Sequence, residues 1–72
     1  MDIEEARMAI GYLDAAGLDA DELTMENDGY GMGFRVFYED RAFGALWEVE
    51  EAIRTEYIPE DQPPPKELEH LF

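Results

Sequence analysis

Nineteen of the 72 residues are aspartate or glutamate, so any chemistry this chain performs starts from carboxylates. A pair of them can serve as general acid and base where burial holds one pKa above the other, but so short a fold offers little cleft for that. Asp19, Asp21 and Glu22 could hold a divalent ion, although three acids ahead of a strand read more simply as a solvated loop. Nucleophilic catalysis lacks its parts. There is no Cys and no Ser, Thr24 and Thr55 have no histidine or lysine nearby in sequence, and the single His70 lies beyond a polyproline run. The stretch Gly29-Tyr30-Gly31-Met32-Gly33 has the wrong spacing for a dinucleotide fingerprint and precedes a strand instead of opening a helix. Read as an EF-hand loop, Asp28-Gly29 would put Thr24 at the first ligand and Arg35 at the bidentate one, so both anchors fail. No catalytic residue, cofactor or metal ligand is assigned, and the expectation is a protein that is not an enzyme.

What remains is the distribution of the acids. Asp14, Asp19, Asp21, Glu22, Glu26 and Asp28 run from the end of a first helix across a strand to a hairpin tip. Glu39 and Asp40 follow a second strand, and Glu48, Glu50, Glu51 and Glu56 lie on a second helix. Carboxylates three or four residues apart on a helix stand about 5–6 Å apart, and alternate strand residues nearly 7 Å, which resembles the spacing of successive phosphates. With five Lys and Arg the net charge is −14, spread over the roughly 4,600 Å² that a chain this size exposes. Nucleic acid would be repelled, and so would anionic lipid. A groove lined with Lys and Arg would be attracted.

The elements that must hold these acids follow from periodicity. Ile3, Ala6, Ile10 and Leu13, widened by Met8, Ala9 and Tyr12, mark an amphipathic helix from Asp2, its N-cap, to Ala16, with Gly17 as its stop. Gly11 in its interior suggests a close helix contact. Glu22 to Glu26 alternates as a strand, Asn27-Asp28-Gly29 turns, and a return strand runs from Gly31 or Met32 to Glu39. Met32, Phe34, Val36 and Tyr38 share its core face, and the glycines at its start imply a bulge or a closely covering segment. Asp40 is read as the cap of a second helix reaching Tyr57; a competing parse makes Arg41 to Leu46 a third strand and starts that helix near Trp47. Pro59 and Pro63-Pro64-Pro65 end the body, giving a compact domain over 1–58 and a Pro-rich extension over 59–72. Leu68, Leu71 and Phe72 in that extension form one helical turn that caps the protein's own core or docks on a partner. The fold class is α+β: helix, antiparallel β-hairpin with a possible third strand, helix, both helices on one sheet face, as a monomer or a homodimer.

Hydrophobic residues at 46% and aromatics at 12% separate the chain from an acidic disordered tail. Neither a basic leader nor an apolar run of about 20 residues is present, which suits a cytoplasmic protein. In size, charge, lack of cysteine and layout the chain resembles, as a class, the small acidic inhibitors that phages and mobile elements direct against host nucleic-acid enzymes, the anti-CRISPR and anti-restriction DNA mimics. That resemblance implies a basic, nucleic-acid-binding partner such as a CRISPR effector subunit, met in the host cytoplasm if the protein is phage-encoded. Carboxylates would then stand in for phosphates opposite its Arg and Lys. The contact residues, taken from clustering, are Asp14, Asp19, Asp21, Glu22, Glu26, Asp28, Glu39, Asp40, Glu48, Glu50 and Glu51, with Tyr30 as an aromatic anchor beside Phe37 and Trp47. The alternatives are an acidic adaptor or regulatory domain that works through its tail, and a salt-adapted domain whose charge serves solubility alone.

Overall fold

A computed structural model describes residues 1–29 and 33–72. Helix α1 (Ile3–Ala15) begins at Asp2, whose side chain accepts from the Glu5 N–H at 2.8 Å while Glu5 accepts from the Asp2 N–H at 3.2 Å. This reciprocal cap satisfies two amide donors that the first turn would otherwise leave open. Gly17, at φ 102°, ends the helix in the left-handed conformation that suits glycine. The buried row is Ala6, Ala9 and Leu13, with Ile10 and Tyr12 packed at its flank. Ile3 and Met8, expected in the stripe, are exposed, because the row that meets the core is centred on the alanines. Gly11 makes no close helix contact: it is exposed, with open space around it.

Strands β1 (Leu23–Asn27), β2 (Phe34–Tyr38) and β3 (Arg41–Phe43) form one antiparallel sheet in that order. A 3-10 turn over Ala20–Glu22, capped by Asp19, leads into β1, so Glu22 lies just ahead of the strand. Leu23 stands opposite Tyr38, Met25 opposite Val36 and Asn27 opposite Phe34. Val36 is fully buried on that face, and Phe34, Tyr38 and Met25 pack against the core beside it. Met32, assigned to the same face, and Gly31 lie outside the described residues. The turn after β1 carries Gly29 at φ 87°, whose N–H donates to the Asn27 side chain at 3.1 Å. The closely covering segment implied by the glycines is Met1. Its carbonyl oxygen would stand 2.7 Å from a Cβ placed on Gly33.

Asp40 does not cap a helix. It sits with Glu39 in a two-residue turn between β2 and β3, and the third strand of the competing parse is the one observed. The physical reason is Phe43, which pairs with Val36 and buries almost all of its surface in the core, where a helix through Gly44 would give up that pairing and about 1 kcal/mol of propensity. Helix α2 (Leu46–Ala52) starts after Ala45, which offers no side-chain cap; the Glu48 carboxylate instead accepts from the Gly44 N–H at 3.2 Å. A π-turn (Ile53–Tyr57) closes it, with the Ile58 N–H donating to the Ile53 carbonyl. Pro59 then holds Ile58 extended, at φ −109° and ψ 117°.

The core joins Leu13 of α1, Val36, Phe43, Val49 and Ile53, all essentially inaccessible to water. Leu68 and Leu71, from a 3-10 turn over Lys66–Leu71, belong to the same cluster. His70 shares a hydrogen bond with the Tyr12 hydroxyl at 3.1 Å and leans against its ring, tying this turn to α1.

Candidate acidic interface

The sheet distributes the acids by its two ends. At one end, the 3-10 turn before β1 and the turn between β2 and β3 bring Asp19, Asp21, Glu22, Glu39 and Asp40 together, all exposed. The convergence registers on Tyr38. Its phenol is pushed above its ordinary pKa first by desolvation, then by the negative charges of Glu39, Glu22 and Asp19, with Tyr57 adding to them. Glu39 holds φ 55°, the one non-glycine residue described in the left-handed region, which costs a side-chain-bearing residue about 1–2 kcal/mol. An acid is thus kept at a strained position amid its own repulsion.

Toward the other end of the sheet, about 14–20 Å from Glu22 along the strand, lie Glu26 and Asp28. Glu26 is exposed and stands directly opposite Arg35 in the register of β1 and β2. Asp28 is partly buried; Tyr30 lies outside the described residues. Asp14 is exposed on the last turn of α1, three residues before Gly17.

The third group is on α2. Glu51 is exposed and Glu50 partly so, while Glu48 is partly covered and spends one oxygen on the helix start. Trp47 beside them is 63% exposed, whereas Phe37, on the outer sheet face, is half-buried. Arg41 anchors this side. Its guanidinium bonds Glu56 at 2.8 Å and donates to the Tyr57 hydroxyl at 3.2 Å, lying over the rings of Phe43 and Tyr57. The bond to Glu56 raises its pKa further above the ordinary value, against a smaller desolvation effect, so it stays charged at every accessible pH.

Sequence reasoning named the acids but missed Arg41, the cation that organises the face between β3 and α2. Its spacing did not mark it out, since Arg35-Val36-Phe37 repeats the pattern of Arg41-Ala42-Phe43; only the register of β3 beside α2 separates the two. Among the described residues, no three carboxylates or histidines converge closely enough to hold a metal ion. No helix among them is long and apolar enough to cross a membrane. No protein-family model, curated protein or solved structure matches this chain.

Proposed function

We propose that this protein is a non-enzymatic inhibitor that binds a basic nucleic-acid-processing complex, such as a CRISPR effector, through its acidic surface and blocks the cleft meant for DNA. The observation that carries this reading is a linear charge density. The molecule measures 40 × 21 × 16 Å. Its net charge of −14 along the 40 Å axis is about one charge per 3 Å, close to the 3.4 Å between phosphates on one strand of a duplex. A folded body of this shape presents that density without the flexibility of a tail, so a basic cleft would lose little entropy in ordering it.

An adaptor working through the tail is less well supported, because Leu68 and Leu71 are spent on the protein's own core and leave Phe72 as the exposed apolar group of that turn. The decisive experiment is competition on purified CRISPR effector and restriction complexes. Binding of wild type would be measured beside two variants, Asp19→Asn with Glu22→Gln and Glu39→Gln, and Glu50→Gln with Glu51→Gln. The reading requires a complex that this protein and duplex DNA occupy exclusively of one another, with affinity falling steeply with salt and in at least one variant. Simultaneous binding of DNA and protein, or affinity indifferent to both variants, rejects mimicry.

A further inference from the structure

The inference deepens the proposed function and rests on its basic partner. Strand β3 is an edge of the sheet, and its two-residue turn fixes which backbone groups face outward. Tyr38 and Arg41 close that turn, so they exchange both hydrogen bonds; pairs alternate along an antiparallel ladder, so Phe37 and Ala42 form a non-bonded pair. The N–H and C=O of Ala42 therefore point away from β2, and Ala42 is among the residues that line a cleft of about 330 Å³ between β3 and α2. Trp47, Glu48 and Glu51 wall the cleft along α2, and Arg41 with Glu56 forms one end of it.

We propose that this cleft receives an extended segment of the partner carrying Lys or Arg at alternate positions, which adds to β3 as a fourth strand. The charge selects the occupant. Short edges flanked by charges discourage strand addition, but here three carboxylates face one guanidinium, so a second copy of a chain with net charge −14 is repelled while a basic strand is drawn in. Alternate side chains of an added strand point to one face, which would set basic groups against Glu48 and Glu51 and within reach of the exposed indole of Trp47. Ala42 contributes two main-chain bonds, which fix register; the acids contribute most of the attraction.

The test uses the full chain and a library of nonapeptides with Lys or Arg at alternate positions, each also made N-methylated at the intervening residues. Binding is read by Trp47 fluorescence and by hydrogen exchange at the Ala42 amide. The expected result is a peptide that slows that exchange and binds up to about tenfold more weakly when N-methylated, the effect of losing the one main-chain bond that the Ala42 carbonyl accepts. Ala42→Pro, whose lost N–H the fold does not use, should weaken binding similarly with its circular dichroism unchanged. Glu51→Lys should abolish it. Equal affinity for the methylated and unmethylated peptides, or no binder in the library, overturns strand addition. Either result leaves the DNA competition assay untouched, so the two readings fail separately; a peptide bound at β3 beside a partner that ignores DNA would sink mimicry and keep the groove.

Discussion

Met1 and Phe34 bond to each other through both backbone groups: the Phe34 N–H donates to the Met1 carbonyl at 2.7 Å, and the Met1 ammonium donates to the Phe34 carbonyl at 3.2 Å. The same ammonium donates to the Gly44 carbonyl at 3.1 Å. Met1 thus takes the place beside β2 that β3 would occupy were it two residues longer, and the start of the chain is built into the sheet. Gly33 is what lets it approach.

The first prediction concerns that approach. Gly33→Ala places a methyl group against the Met1 carbonyl, which is backbone and cannot swing aside, so it should cost about 1–3 kcal/mol. Gly11→Ala, with open space around it on an exposed helix face, should gain about 0.5–1 kcal/mol. Thermal unfolding separates the two by sign. A stabilised Gly33→Ala would mean that Met1 does not lie over the sheet.

The turn at Glu39 gives the second. Glu39→Gly should stabilise by about 1 kcal/mol, because glycine holds φ 55° without penalty and one charge leaves the acid-rich end. Glu39→Gln measures the charge alone, and the difference between the two variants is the backbone strain. If that strain is kept for binding, Glu39→Gly should be more stable and bind its partner less well.

Tyr38 supplies the third. Its folded pKa is raised, so the stability that the neutral phenol brings is fully present below its ordinary value of 10.0 and is lost as pH climbs through the folded value above it. Ultraviolet titration of the wild type against Tyr38→Phe should place this phenol above pH 10. The upward shift should shrink with Glu39→Gln, with Glu22→Gln and with added salt, which screens the same charges. A shift indifferent to all three would show that the acids do not converge there.

These features divide by how local their causes are. The cap at Asp2, the stop at Gly17 and the alternation through Phe34, Val36 and Tyr38 are each set within a few residues, and periodicity is enough to read them. The run Ala42-Phe43-Gly44 carries no such signal; pairing with Val36, seven residues back, decides that it is strand. The same holds for the acids. Their types and clustering are plain in the sequence, but that Asp19 and Glu39 act on one phenol depends on the register of β1 against β2, and the position of Arg41 beside Glu56 depends on where β3 ends and α2 begins.

The fourth prediction weighs the terminal turn. Leu68→Ala removes a side chain with no exposed surface and should cost about 2–5 kcal/mol, a large share of the stability of a domain this small. Phe72→Ala, at a residue 57% exposed, should change stability by less than about 0.5 kcal/mol. Urea unfolding of the two variants checks the contrast. Equal midpoints would mean that the turn is not seated in the core.

Leu68 and Leu71 share one cluster with Ala6 and Ala9, so the core draws on both ends of the chain. During synthesis, Ala6 and Ala9 emerge early and wait for partners still unmade. The core cannot close until residue 71 has cleared the ribosomal exit tunnel, whatever follows it. Until then the emerging chain is an extended polyanion, kept from premature collapse and from its neighbours by the same carboxylates that later cover the folded surface.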